Sequence, residues 1–245
     1  MSEQATGERP TSLDPLTGEP VEIAVVDYGM GNRRSVEKAL AHVGVRALIS
    51  SDLDRLRAAD GLVVPGVGAF PRAMENLRRL GLDELLRDSV AIGTPVLGIC
   101  LGLQLAFDYS SELGGADGLG LIAGEVHGLR AGTLKLPHIG WNEVSFDKPD
   151  SPLLAEIPRR CAFYHVHSLA AEPEREQDVL GTASYGAPFV TAVQKGCFYG
   201  VQFHAEKSSA AGLRLLDNFA GICLQARRER EAGMARAAAG ADTLP

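Results

Sequence analysis

The chain has no unbroken apolar stretch approaching the roughly 18 residues that a membrane-spanning helix requires, so an integral helical membrane protein is excluded. Basic residues are also in deficit. Lys and Arg total 24 against 31 Asp and Glu, for a net charge of −7. A general nucleic-acid binder needs a basic face to neutralise phosphates, and this balance argues against one beyond a local patch. Cysteine is sparse too: four in 245 residues, with no C-x-x-C pair and no zinc-like spacing. Neither a disulfide framework nor a metal centre is expected, no cofactor motif replaces them, and a reducing, cytoplasmic compartment is the default. Residues 1–20 lack the apolar core of a secretory signal. What remains is ordinary globular material, 45% hydrophobic and 22% charged, enough for one or two domains.

Residues 1–20 carry three prolines and no periodicity and read as a disordered tail. Order is expected from Val21. Glu22–Asp27 reads as a buried strand, followed by a glycine turn and a helix near Arg33–His42. Val45–Ile49 and Gly61–Val64 read as further strands, Leu77–Ala91 as a helix, and Pro95–Ile99 as a strand running straight into a helical Leu101–Phe107. Strands alternating with helices predict βαβ units and a mostly parallel sheet. After about Gly118 the rhythm changes. Val126–Leu129, Asn142–Phe146, Ala162–Val166, Val179–Ser184, Val190–Gln194 and Cys197–Phe203 suggest added antiparallel strands, and Leu213–Cys223 a closing amphipathic helix. The expected division is a tail (1–20), one α/β domain (21–224) and a helical extension or tail (225–245), whose Arg227–Arg230 run reads as a solvated helical face.

The most informative segment is Gly98-Ile99-Cys100-Leu101-Gly102. It has the logic of a nucleophile elbow with cysteine in place of serine: a sharp strand-to-helix turn whose crowding small residues relieve on either side. The turn would project the sulfur off the sheet and set the Leu101 N–H beside it, and a helix N-terminus favours thiolate. Cys161, Cys197 and Cys223 have no such turn and read as ordinary buried cysteines. A nucleophile needs a base and the base an orienting group. His204 ends the apolar run Gly200–Phe203, and Glu206 follows two residues later, on the same side if the backbone stays extended. Pro65-Gly66-Val67-Gly68, after a strand, could either cradle phosphate or complete an oxyanion hole through the N–H of Val67 or Gly68 together with Leu101. The Walker spacing is missing, which rejects a P-loop. Asp27–Asn32 reads as a tight βα turn with Asn32 capping the helix. His42 and His127 look ordinary. His138, His165 and His167 lie in aromatic neighbourhoods and read as structural or binding groups.

Together these residues resemble the class I (triad) glutamine amidotransferases, and within them the glutaminase subunits that serve a cyclase in histidine biosynthesis. The family pattern is carried by Gly98–Gln104 and Gln202–Glu206. The narrower likeness rests on Asp27–Asn32, Pro65–Phe70, Pro137–Asn142 and Tyr164–Ser168, and spans about 21–224. The resemblance implies a flavodoxin-like α/β fold, mostly parallel, with an added antiparallel segment. It implies that Cys100 attacks the side-chain amide of glutamine, that His204 protonates the leaving ammonia and then activates water, and that Glu206 orients His204. It further implies that Gln104 and Glu112, with backbone around Gly66, Gly68 and Ser168, hold the substrate. A (β/α)8-barrel cyclase subunit would consume the ammonia, with Asn32, Trp141, Asn142, Tyr164 and Lys207 near that interface. Two departures stand out: Ala205 where the family usually has proline, and His165 and Leu169 where it has aromatics. The rival readings are a glutaminase for another synthase, a catalytically dead binding module, and a nucleotide-binding α/β protein.

Overall fold

Alternation within the first strand decides the architecture. In a computed structural model describing residues 14, 18–148 and 150–241, with side chains through 234, β1 (Glu22–Val26) sends Ile23 and Val25 into one core and Ala24 and Val26 into another. A strand apolar on both faces must be covered on both. The chain continues through α1 (Arg33–His42), β2 (Arg46–Ser50), α2 (Leu53–Ala58), β3 (Gly61–Val64), α3 (Phe70–Arg79), α4 (Leu82–Ala91), β4 (Val96–Ile99) and α5 (Leu101–Gln104). The second half supplies β5 (Phe107–Ser110), β6 (Ala116–Asp117), β7 (Ile122–Gly128), β8 (His138–Phe146), β9 (Arg160–His167), β10 (Leu169–Pro173), β11 (Val179–Tyr185), β12 (Ala187–Lys195) and β13 (Phe198–Val201), and ends in α6 (Ser209–Ala241).

The 13 strands of the described residues join one sheet, whose main path runs β2-β1-β3-β4-β13-β12-β10-β7-β5-β6. The first five are mutually parallel. Counted along the chain their order is 2-1-3-4-5, the flavodoxin-like arrangement, whose ligands sit beyond the carboxyl ends of the strands. α1 and α6 cover one face through residues such as Leu40, Leu216 and Phe219. α2, α3 and α4 cover the other through Leu56, Leu77 and Leu86. The remaining strands pair antiparallel except β5 with β7, and β11, β8 and β9 branch from β12 as a flap. The mixed architecture is the one the sequence indicates, with β13 as the seam: it pairs parallel with β4 and antiparallel with β12.

Several local expectations are corrected. The predicted helix 77–91 is two helices, because Gly81 adopts φ +67° between them, a left-handed conformation that suits glycine and ends a helix. The helical stretch after Cys100 stops at Gln104, and Phe107 is recruited into the sheet instead. The closing helix runs on to residue 241. Arg227–Arg230 is not a solvated face. Arg227 pairs with Asp14 at 3.3 Å and with Asp60 at 3.2 Å, Arg228 with Asp14 at 2.7 Å, and both carboxylates are nearly buried. Asp60 also accepts the Glu22 N–H, at 2.9 Å. Of the expected amino-terminal tail, residues 1–13 and 15–17 lie outside the described residues, as do residues 242–245 at the other end.

Replacing Arg227 by Met keeps the aliphatic stem and removes one guanidinium from each of two nearly buried carboxylates, leaving Arg228 on Asp14, and Arg230 and the Glu22 N–H on Asp60. A loss of about 1–2 kcal/mol is expected in urea unfolding; an unchanged midpoint would show that this ion cluster is as weak as a surface pair.

Candidate active site

The strand register brings the chemistry together. β13 and β4 pair with Gly200 opposite Gly98 and Val201 opposite Ile99, and the next N–H, that of Cys100, bonds the Val201 carbonyl at 2.7 Å. Cys100 then takes φ 54°, ψ −106°, a conformation costing a non-glycine residue about 1–3 kcal/mol. The elbow's glycines are needed for close approach rather than for backbone freedom. A Cβ on Gly98 would strike the Gly102 carbonyl, and one on Gly102 the Val64 carbonyl. One expected element is weaker than foreseen: α5 is a single turn of four residues, too short to offer much of a macrodipole to the sulfur.

His204 is held at both ends of its own peptide unit. Its N–H bonds the Tyr164 carbonyl at 2.9 Å, and its carbonyl accepts from Ser208 Oγ at 2.7 Å. Its Nδ1 meets Glu206 Oε1 at 2.8 Å, with both side chains essentially buried, and Cys100 is near enough to the same imidazole to raise its proton affinity. Nδ1 facing the carboxylate leaves Nε2 for the sulfur. The extended i, i+2 geometry is not how this is achieved. The chain turns into a 3-10 turn at Ala205–Lys207, and the carboxylate folds back onto the ring. Burial by itself lowers the proton affinity of His204. Hydrogen bonds and charge from Cys100 and Glu206 outweigh it, and the pKa rises to about 9.

Asn32 does not cap α1: its side chain makes no capping bond and instead donates to Glu206 Oε1 at 2.5 Å. The carboxylate draws the amide away from the helix because a buried charge needs donors more than a partly exposed helix end does. The other expected residues divide. Gly68, Cys100, Leu101, Gln104, Glu112 and Ser168 line one cleft of about 260 Å³ with Val67, Pro137, Val166, His167 and Leu169, a volume suited to a single amino acid more than to a drug-sized ligand. Hollows of about 390, 440 and 550 Å³ elsewhere contain neither Cys100 nor the glycine loop, and His204 lies outside the lining of all four. Glu112 already accepts the Phe70 N–H at 2.6 Å, serving the start of α3. The Leu101 N–H points to the Gly66 carbonyl at 3.4 Å, so it is turned toward the glycine loop. The Pro65 end of that loop is anchored by the Tyr28 hydroxyl at 2.5 Å. Gly68 has φ +126°, open only to glycine. Trp141 and Lys207 are exposed, and Trp141 meets the Tyr164 ring edge-on. Asn142 bonds the Ser184 carbonyl at 2.9 Å. Among the described residues, no group of three or more His, Cys, Asp or Glu is placed to hold a metal ion.

Behind the cleft lies a histidine cluster whose connections the sequence did not reveal. His138 Nδ1 and His167 Nε2 are 3.0 Å apart, and His167 Nδ1 meets the Leu169 carbonyl at 2.8 Å. His165 bridges the Phe163 carbonyl at 3.0 Å and Thr191 Oγ1 at 2.8 Å. Carbonyls accept only, so Nδ1 carries the proton in His165 and in His167, and each Nε2 accepts. Burial is the main cause that drives all three toward the neutral form: His165 falls to about 3, His167 to about 4, and His138 below its usual value.

A glutamine amidotransferase of class I is what this elbow, base and carboxylate define on this sheet. The family profile described as "Glutamine amidotransferase class-I" matches residues 24–222, and the chain belongs to that family. Within it the chain groups with the HisH subunits. It is 49% identical over 197 residues to imidazole glycerol phosphate synthase subunit HisH of Moorella thermoacetica, covering 80% of this chain and 93% of that protein. It is 44% identical over 200 residues to the HisH subunit of Bacillus cereus, covering 82% and 94%. The fold is also that of PurLQS from Thermotoga maritima, with a TM-score of 0.66 at 17% identity over 81% of this chain and 97% of that one. No helix among the described residues is long and apolar enough to cross a membrane.

His165 gives a test of sign. Its folded pKa, about 3, lies below the unfolded value near 6.5. The unfolded chain therefore takes up the proton first, and stability present above about pH 6.5 is lost as pH falls toward the folded value. His165→Phe is expected to cost about 1–2 kcal/mol at pH 7, where Thr191 loses its partner, and to flatten the decline between pH 7 and pH 4.5. Parallel urea profiles for the two proteins in acid would refute the assignment.

Proposed function

We propose that the chain is the glutaminase half of an imidazole glycerol phosphate synthase. It hydrolyses glutamine to glutamate and ammonia and passes the ammonia to a (β/α)8-barrel cyclase subunit, which makes imidazole glycerol phosphate and aminoimidazole carboxamide ribotide in histidine biosynthesis. The observation that carries it is the meeting of Cys100, His204 and Glu206 at the carboxyl ends of β4 and β13, beside a cleft of amino-acid size.

The steps follow from the groups in place. A pKa of about 9 keeps His204 protonated at neutral pH, and the imidazolium faces the sulfur. The thiolate of Cys100 attacks the side-chain amide carbon, and the C–N bond breaks as His204 Nε2–H protonates the leaving nitrogen. The products are a glutamyl thioester, ammonia and a neutral His204. Water then gives a proton to Nε2 while its oxygen adds to the thioester carbon, and the thiolate leaves with glutamate. Glu206 holds Nδ1–H through both steps, and Asn32 holds Glu206 in turn. Gln104, Glu112, Ser168 and the backbone at Gly66 and Gly68 are the groups at hand for the amino acid. At neutral pH free ammonia becomes ammonium, which is not a nucleophile. A sealed route to the second active site keeps the reactive form.

A partner is favoured by the exposed apolar side chains beside this site. Ile139 and Trp141 share one face of β8 with 60% and 56% exposure, and Leu134, Leu136 and Val67 are nearly half exposed. Such side chains, together with Asn32, Asn142, Tyr164 and Lys207, suit a docked subunit. The same reading makes the Val67–Gly68 peptide the device that couples the two subunits. With the Leu101 N–H on the Gly66 carbonyl, the oxyanion donors are not yet gathered, and one such donor is worth about 3–4 kcal/mol.

Cys100→Ala mixed with the candidate cyclase is expected to lose all ammonia production from glutamine while the pair still assembles in size-exclusion chromatography; retained hydrolysis would remove Cys100 as nucleophile. Glutaminase rates measured alone and with cyclase carrying its own substrate should differ about a hundredfold or more, and equal rates would leave the loop without a coupling role.

A further inference from the structure

We propose that Gln202 is a catalytic residue: its side-chain amide donates a hydrogen bond to the ionised sulfur of Cys100 and stabilises it both before attack and when the thioester breaks down. The inference rests on Cys100 being the nucleophile, as set out above. Gln202 is the first residue after β13, fully buried, and its main-chain N–H is fixed to the Thr191 carbonyl at 2.8 Å. Its Nε2 lies 3.5 Å from Cys100 Sγ, within reach of a bond to sulfur. Its Oε1 accepts from Gln104 Nε2 at 3.0 Å.

That second bond fixes which way the amide points. Gln104 is oriented in turn by its Nε2, which also donates to the Leu169 carbonyl at 3.5 Å; with the Gln202 amide reversed, two N–H groups would face each other across Gln104 and Gln202, and a carbonyl oxygen would face the sulfur. The network therefore assigns N–H to the thiol side. The surroundings make this donor consequential. Apart from the His204 imidazole, the sulfur also meets the Val166 carbonyl at 3.8 Å, which accepts from a thiol and repels a thiolate. The one-turn α5 offers little helix field. Besides His204, the amide of Gln202 is the side chain whose bond to the sulfur strengthens when the proton leaves, because hydrogen bonds to charged acceptors are about twice as strong as neutral ones. His204 must give its proton to the departing nitrogen, whereas Gln202 transfers none and stays in place through the cycle. Gln104, which lines the substrate cleft, holds Gln202 in this orientation, so the residue beside the substrate also sets the donor on the nucleophile.

The test reads the thiol directly. Full-length wild type, Gln202→Leu and Gln202→Glu are alkylated with iodoacetamide across pH 6–10, and modification of the Cys100 peptide is followed by mass spectrometry. Gln202→Leu is expected to react about tenfold more slowly at pH 7, equivalent to about 1.4 kcal/mol. The gap should close at alkaline pH, where the thiol ionises unaided. The Glu variant, which keeps the shape but replaces the donor by an oxygen, should be slower still, and it carries the test if the Leu variant fails to melt cooperatively. A merely structural role would slow alkylation equally at every pH. That result, or wild-type reactivity at pH 7 in a folded variant, overturns the proposal. Failure of the glutaminase reading is told apart by Cys100→Ala, which would then still release ammonia whatever Gln202 does to alkylation.

Discussion

The site depends on the pairing of β13 with β4. These strands are widely separated along the chain, β4 at Val96–Ile99 and β13 at Phe198–Val201, and their ladder places Gly200 against Gly98. One residue of slip would turn each following side chain to the other face of the sheet, separating the sulfur from the imidazole. Glycine at both positions serves this seam. A Cβ on Gly98 would strike the Gly102 backbone and push α5 off the strand, whereas one on Gly200 would crowd the side chains of Val193 and Leu103. The strained backbone at Cys100 is sustained because its N–H is already committed to Val201 and its carbonyl to Leu103 and Gln104, at 3.1 and 3.3 Å. Those bonds over-determine the turn.

The two halves of the sheet then divide the work. The parallel half presents Cys100 and the glycine loop at its carboxyl edge, where helix-covered strands leave their loops free. The antiparallel half braces His204: β9 gives the Tyr164 carbonyl to its N–H and the Val166 carbonyl to the sulfur, and β8 holds His138 against His167. Neither half has a complete site. The β8–β9 flap also carries the exposed apolar residues, so a subunit docking there would press on the strand that holds the backbone of His204.

How much of this was legible in the sequence follows from the range of each interaction. The parallel core, the elbow and the His204–Glu206 pair are local signals: an apolar run, glycines at fixed offsets, two polar residues after a strand. The break at Gly81 was missed because the apolar period carries across it. In the helical extension after Cys223, Arg227 and Arg228 look like solvent-facing charges until Asp14 and Asp60, distant in sequence, are brought beneath them. Asn32 has the composition of a helix cap, and only the fold supplies the carboxylate that draws it off. Gln202 did leave a trace, an amide inside the apolar run Gly200–Phe203. A buried polar group must be satisfied, but sequence could not say that its partners would be Cys100 and Gln104.

The histidine cluster shows why composition near an active site is a poor guide to charge. Four imidazoles lie within one region, and a charge on one weakens protonation of the others: His204 is among the causes that lower His165 and His167. Only one of them can hold the proton cheaply. Glu206, itself engaged by Asn32, gives it to His204, and the remaining three meet carbonyl, hydroxyl and imidazole partners that suit neutral rings. Thr191 makes the buried His165 tolerable by occupying the nitrogen that would otherwise be without a partner. His204 therefore has neutral rings around it and one carboxylate on its Nδ1, so in the proposed reaction the proton for the departing nitrogen stays on the ring paired with Glu206.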